Sequence, residues 1–395
     1  MSNQEAKLLV LEFGSGGHSL VYLSRIASVA LNVGDRIAIA SSINQSLIGA
    51  FHGSFENINS VQFLDPGSLW KRKKKVSARA EETFCGVLTG FSLRRQLGNS
   101  ALRDWKIFFS NFPTSRFLFL RGLLSVFRGD WGAFLVNAPF LRNSLSDRRT
   151  ERLLRRKQCR SIFTLDEGSI EWIKSSFPQA QSNWLPDFSV VSAKDGPIAK
   201  SLRERAAGRP TVLLIGRISG KKGLAAFLEL SQEDSLRDFF FAIVGKCEMP
   251  GLSSWTRDRI VNHFHPRENT FFWGEEIDSE EEYNRIIQDS SLVWLVFPGF
   301  TNSSNTLTKA AFFKSSCIAL ADSLIGERVT RYSLGVTVRE PIIDEAREVL
   351  LSMRQWKILV RKDGGPARED FLREFNEACF TERLESGLRV FLDNR

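Results

Sequence analysis

The sequence predicts an α/β protein: two Rossmann-like, doubly wound domains in tandem with a cleft between them. Three observations predict this class. A short apolar run, Leu8-Leu9-Val10-Leu11-Glu12-Phe13, passes through the turn Gly14-Ser15-Gly16-Gly17-His18-Ser19 into a helical pattern, Leu20, Val21, Leu23, Ile26, Val29 and Ala30. Unbroken apolar runs of this length mark strands covered on both faces. The same order of strand, turn and helix starts again at Thr211-Val212-Leu213-Leu214-Ile215. The 395 residues, 43% hydrophobic and 25% charged, suffice for two cores and exclude disorder, collagen-like repeats and coiled coil.

The elements follow from pattern. Arg36-Ile37-Ala38-Ile39-Ala40 is the second strand, completing a βαβ unit. Residues 66–160 are richer in helix and arginine and parse less clearly. Ser161-Ile162-Phe163-Thr164-Leu165 reads as a late strand, ending at Asp166-Glu167-Gly168. The polar stretch 187–210 reads as a linker. After Thr211–Ile215 come a turn at Gly216, a helix over 224–232 and a strand, Phe239-Phe240-Phe241-Ala242-Ile243-Val244. A short strand, Thr270-Phe271-Phe272-Trp273, then ends at Gly274. A helix over 280–289, a strand over 292–297, a helix over 305–314 and a strand over 317–321 complete the series. The expected domains are 1–190 and 191–365. A C-terminal helix follows over 366–395.

Charge is uneven. The chain carries +9, yet residues 1–190 hold 25 Lys+Arg against 15 Asp+Glu. Two runs dominate, Lys71-Arg72-Lys73-Lys74-Lys75 and the series from Arg148 to Arg160. Such a field attracts nucleic acid, anionic lipid or an acidic substrate, although a solvated loop and helix face would look the same. No nucleic-acid motif accompanies it, so a nucleic-acid partner is not expected. The apolar segment Phe117–Arg128 suits either a helix lying on a membrane surface or a buried helix. The five cysteines form no CxxC pair, which gives no support to a disulfide framework or structural zinc. With neither a signal peptide nor a spanning segment in evidence, a cytoplasmic protein is expected, with peripheral contact at the inner membrane face left open.

Ligands of open α/β sheets sit beyond the carboxyl ends of the strands. Three turns of the second half belong there. Gly216 permits close backbone approach, and Arg217 and Lys222 place two cations beside a helix start, a pattern suited to diphosphate. Thr301, Asn302, Ser303, Ser304 and Asn305 offer hydroxyls and amides at the next helix start, for phosphate, for ribose or for capping. Gly326 and Glu327 follow a later strand, where a carboxylate either binds sugar hydroxyls or serves as a first-turn helix acid. In the first half, Gly16 and Gly17 allow backbone approach to a ligand, and His18 has the intrinsic pKa of a general base. The loop lacks GxGxxG spacing, which argues against a dinucleotide. His263 and His265 would share a face on a strand, but no third ligand accompanies them, and no Asp-x-Asp occurs. No metal or other cofactor is therefore expected.

With these residues in view, the chain resembles the two-domain GT-B glycosyltransferases, nearest to glycosyltransferase family 4. Gly216-Arg217-Ile218-Ser219-Gly220-Lys221-Lys222-Gly223 is similar to that family's donor-phosphate turn. Phe241–Gly245 resembles its next strand and glycine, and Phe272-Trp273-Gly274 its base-binding turn. Asp289–Pro298 resembles its strand before the donor loop, and Asp322–Glu327 the loop after it. Gly14–His18 is similar to the glycine–histidine loop of the peptidoglycan lipid-intermediate glycosyltransferase. One departure is plain. The family's Glu-x7-Glu pair is here Thr301 and Lys309. The resemblance implies donor contacts from Gly16, Gly17, Gly216, Arg217, Lys222, Gly274, Thr301, Asn302, Ser303, Ser304, Asn305, Lys309 and Glu327. It implies catalytic roles for His18, Arg217 and Lys222, an acceptor on 1–190, a nucleotide-sugar on 191–365 and a return of the C-terminal helix over 366–395 to the first domain. Lys309 would pair with an acidic donor sugar. The implied activity is metal-independent sugar transfer from a nucleotide diphosphate-sugar to a polysaccharide, lipid-linked or other glycan acceptor. The alternative is a nucleotide-sugar-binding protein of the same fold without turnover.

Overall fold

A computed structural model describes residues 5–12, 17–41, 61–65, 79–98, 104–112, 116–136, 140–141, 144–145, 148–264, 267–355 and 365–393. The chain divides into two compact units, 1–186 with 378–395, and 187–377.

The first unit runs β1 (Lys7–Glu12), α1 (Gly17–Val33), β2 (Arg36–Ser41), β3 (Val61–Leu64), α2 (Arg79–Leu97), β4 (Trp105–Phe109), α3 (Phe117–Val126) and β5 (Trp131–Leu135). A small hairpin, β6 (Phe140–Leu141) and β7 (Ser144–Leu145), precedes α4 (Arg148–Leu154), β8 (Cys159–Thr164), α5 (Ile170–Ser176) and β9 (Gln181–Trp184). The main sheet is parallel in the order β3-β2-β1-β4-β5-β8-β9. Its central strands are apolar without alternation because helices cover both faces. α2 and α3 cross at backbone contact. A Cβ on Gly86 would lie 2.0 Å from the Phe119 carbonyl oxygen, and one on Gly122 2.1 Å from that of Thr83. α3 buries Phe119, Leu120, Leu123 and Leu124, so of its two readings the buried helix is the one the fold adopts. The last helix, α14 (Glu377–Asp393), belongs to this unit. It buries Phe380, Leu384, Leu388 and Phe391 at helical spacing, and Lys106 donates to the final carbonyls of Phe391 (2.7 Å) and Leu392 (3.0 Å).

The second unit runs α6 (Pro197–Ala206), β10 (Thr211–Ile215), α7 (Leu224–Leu230), β11 (Phe240–Val244), α8 (Ser254–Asp258), β12 (Thr270–Trp273) and α9 (Glu280–Gln288). It continues with β13 (Leu292–Leu295), α10 (Asn305–Phe312), β14 (Ser316–Leu320), α11 (Leu324–Arg331), β15 (Gly335–Val338), α12 (Ile342–Gln355) and α13 (Gly365–Glu374). Its sheet is parallel in the order β12-β11-β10-β13-β14-β15. Strand order reverses between β10 and β13, which makes their carboxyl ends the switch point where such sheets bind ligands. α6 corrects the linker reading of 187–210. Pro197 sits in its first turn, which a helix tolerates, and Ile198, Ala199, Leu202 and Ala206 form a buried stripe beneath exposed charges. His263 also departs from expectation. It lies in a π-helical turn, Arg259–Phe264, beside Asp258 at 3.5 Å, and not on a strand. His265 lies outside the described residues.

Candidate functional site

The switch point of the second unit gathers most of the candidate residues. β10 ends at Gly216, whose φ of +96° is open to glycine and strained for other residues. The turn after it is stitched to its neighbours. Gly216 N–H donates to the Val244 carbonyl (3.0 Å), Ile218 N–H to that of Lys246 (2.9 Å), and Trp294 Nε1 to that of Lys222 (3.2 Å). A 3₁₀ turn, Gly220–Lys222, leads to Gly223, where φ is +61° and an added Cβ would lie 2.2 Å from the Val296 carbonyl oxygen. The Lys222 side chain is thereby folded back under the strand ends.

Lys222 Nζ donates to the Ile215 carbonyl at 3.2 Å and stands 4.6 Å from the centre of the Phe297 ring. A Cβ on Gly216 would lie 3.5 Å from this ammonium and 3.3 Å from the Tyr283 hydroxyl, so the missing side chain leaves a space that both groups face. Burial pulls the Lys222 ammonium down to about 8. Among the described residues no carboxylate lies within ion-pair distance of it. A half-buried cation with one carbonyl contact is a group suited to receiving an anion. Arg217 is placed differently. It leaves the turn outward, its side chain 74% exposed, and pairs with Glu248, its Nε 2.7 Å from Oε1.

The donor-loop residues divide into two groups. Ser303 Oγ donates to Asp187 Oδ2 (2.8 Å) and accepts from Arg328 Nη1 (2.6 Å), and Asn305 Nδ2 donates to the Phe188 carbonyl (2.7 Å). These contacts fasten the loop to the first residues of the unit. Thr301, Asn302 and Ser304 are half-buried, and Ser304 starts α10 without a side-chain cap. Lys309 stands on the inner face of α10, 1% exposed, paired with Glu280 and 4.4 Å from the centre of the Tyr283 ring. Its pKa is pulled down by burial and partly restored by Glu280 and Asp187. The expected vacancy of Lys309 for an acidic sugar is therefore corrected, because the protein already supplies its carboxylate. Tyr283 shares a hydrogen bond with Thr306 (3.0 Å), and burial pushes its hydroxyl up to about 12, so it stays neutral.

Gly274 follows β12, with its carbonyl accepting from Cys247 N–H at 2.9 Å. Glu327 lies in the first turn of α11, behind the Ser323 cap, where a carboxylate suits the helix start. Gly16 lies outside the described residues, while Gly17 and His18 open α1 with side chains outside them. The residues that sequence reasoning missed are Asp187, Glu280, Tyr283, Thr306 and Arg328. Local pattern carried no signal for them, since their partners lie far away in the chain. Among the described residues, no group of three or more His, Cys, Asp or Glu is placed to hold a metal ion.

No family model matches this chain, and no curated protein does. Solved structures do match over nearly its whole length. They include Alr3699/HepE of Anabaena with UDP and glucose (TM-score 0.65, 11% identity, 98% of this chain and 100% of the other). Sucrose-phosphate synthase of Thermosynechococcus elongatus also aligns (TM-score 0.67, 13% identity, 98% and 99%). So does WaaG, a glycosyltransferase involved in lipopolysaccharide biosynthesis (TM-score 0.60, 11% identity, 98% and 100%). The chain has the GT-B fold, two Rossmann-like domains in tandem, and at these identities the likeness is one of fold.

Proposed function

We propose that the protein is a glycosyltransferase that moves a sugar from a nucleotide diphosphate-sugar to a glycan or lipid-linked acceptor, without a metal ion. The observation that carries this reading is the half-buried Lys222 ammonium facing the Gly216 turn, with no carboxylate of the described residues within ion-pair distance. The diphosphate lies against that turn. As the bond from the anomeric carbon to the diphosphate oxygen breaks, the electron pair leaves with the diphosphate, and Lys222 stabilises the added charge. Arg217 adds to this field once it exchanges Glu248 for the ligand. The acceptor hydroxyl attacks the anomeric carbon and loses its proton. His18, from its motif, is the assigned base if the reaction inverts.

Glu280, held by Lys309, supplies the carboxylate that the Thr301–Lys309 segment lacks, and accepts hydrogen bonds from donor hydroxyls. Thr301, Asn302 and Ser304 complete that side. The backbone at Gly274 meets the base, and Glu327 orients the start of α11. A UDP-sugar is the first donor to try, since structures of the same fold contain UDP and UDP-glucose.

The test is release of nucleoside diphosphate from a panel of UDP-, GDP-, ADP- and dTDP-sugars, with chelator present and glycan or lipid-linked acceptors added. Acceptor-dependent release is expected, lowered about 100-fold or more in Lys222→Met. Nucleotide binding with neither transfer nor hydrolysis would favour the second reading, a binding protein of this fold. The exchange of Glu-x7-Glu for Thr301 and Lys309 is the observation on that side.

A further inference from the structure

We propose that the outer face of α2 docks the first unit on an anionic membrane surface. The inference goes beyond the proposed chemistry and does not depend on it. α2 presents two different faces. Its inner face buries Cys85, Gly86, Thr89, Gly90, Leu93 and Leu97. Its outer face leaves Phe84 58%, Leu88 37% and Phe91 51% exposed. At 100° per residue, positions 84, 88, 91 and 95 fall within an arc of about 60° and span roughly 16 Å along the helix. The fourth of them is Arg95, exposed, with Arg94 beside it. Single exposed apolar residues are ordinary, but an aligned row is not. Covering two phenyl rings and a leucine removes apolar area that water otherwise holds.

The surrounding charge selects the occupant. Residues 70–160 hold 21 Lys+Arg against 6 Asp+Glu. Arg121 is exposed on α3, one position before Gly122, which meets the α2 backbone at Thr83, next to Phe84. Burial and the neighbouring Arg121 charge pull Arg156, in the turn after α4, below its ordinary pKa. Two of the acids are already engaged, Glu151 with Arg155 and Asp130 with Arg160. The last turn of α2 carries Arg94 and Arg95, so this end meets the lipid charge favourably. The run Lys71–Lys75 precedes the helix in sequence and lies outside the described residues. An apolar stripe flanked by arginines matches an interface of acyl chains under anionic headgroups. Among the described residues no helix is long and apolar enough to cross a membrane, and the contact is peripheral.

The test is co-sedimentation of the full chain with pure phosphatidylcholine vesicles and with phosphatidylcholine–phosphatidylglycerol vesicles, at low and high salt. Binding to the mixed vesicles is expected, weakened by salt and by omission of the anionic lipid. Phe84→Ser/Phe91→Ser should lower the partition coefficient about tenfold or more, with the melting temperature unchanged. Arg94→Glu/Arg95→Glu, which keeps the apolar row, should lower it on the mixed vesicles alone, and it carries the test if the serine variant does not fold. Val261→Ser removes an exposed apolar side chain of the second unit and should leave binding as it was. Absence of wild-type binding, or binding by both double variants equal to that of the wild type, overturns the proposal. So does a dimer in sedimentation velocity that Phe84→Ser/Phe91→Ser dissolves, which would assign the face to a second copy.

Discussion

Lys309 and Glu280 form an ion pair in which the ammonium is sequestered and the carboxylate reaches solvent, their side chains 2% and 56% exposed. The pair joins the inner face of α10 to the start of α9, with the Tyr283 ring beneath the ammonium. A cation stands at the position where the family resemblance calls for a carboxylate, and a carboxylate reaches it from 29 residues away.

Breaking that pair from one side should cost more than removing it. Glu280→Gln leaves the buried Lys309 charge without its ion-pair partner, and is expected to destabilise the protein by about 1–3 kcal/mol, less than for a fully buried pair because Glu280 is half in water. Lys309→Met in the Glu280→Gln background should restore part of the loss. Urea denaturation of the two single variants and the double variant measures this coupling, and strict additivity would show that the two residues do not act together.

The pH dependence of nucleotide binding follows from Lys222. A diphosphate favours the charged ammonium, whose pKa burial holds at about 8. Above that pH, binding takes up a proton, and affinity for UDP-glucose should fall by up to about tenfold per pH unit. Lys222→Arg keeps the charge at every pH used and should remove this slope while sharing any titration of the ligand. Without ligand the sign is opposite. The folded pKa lies below the unfolded one, so the unfolded chain binds more protons and stability rises from about pH 8 to about pH 10. Calorimetric titration across pH reads the first effect and thermal unfolding the second.

Arg217 separates function from folding. Its guanidinium is mostly exposed and pairs with a surface carboxylate, so Arg217→Ala should change stability by no more than about 1 kcal/mol. Transfer should nonetheless slow by about 10-fold or more, because the charge is needed when the diphosphate leaves. Unchanged turnover would remove Arg217 from the mechanism.

Gly223 tests the geometry of the turn. A methyl group there meets the Val296 carbonyl oxygen and must adopt a positive φ. Gly223→Ala should cost about 2 kcal/mol or more and push Lys222 away from the strand ends, weakening nucleotide binding as well. Gly220→Ala meets open space and serves as the tolerated neighbour.

The strands were legible because helices cover both faces of each sheet, which leaves Leu8–Leu11 and Val212–Ile215 as unbroken apolar runs. The turn at Gly216 was legible because a buried strand must end where its backbone becomes free to meet a ligand. α2 was not legible. Phe84, Leu88 and Phe91 point outward while Cys85 and Leu93 point inward, which blurs the helical period. α6 was hidden behind the polar stretch that precedes Pro197. Within the site, the spacing located Lys309 and Ser303 but not what they bind. Asp187 meets Ser303 across 116 residues, a pairing that only the folded sheet creates.

The most direct test of the account is thermal unfolding of the protein and of Lys222→Met with UDP, GDP, ADP, CMP and dTDP, with chelator present. A nucleotide at 100 times its Kd adds about 2.7 kcal/mol, and a shift of about 5–10 °C is expected for a domain of the size of the second unit. The account predicts that one nucleoside diphosphate raises the wild-type midpoint and leaves that of Lys222→Met unmoved. No response to any of them, or an equal response in both proteins, would contradict it.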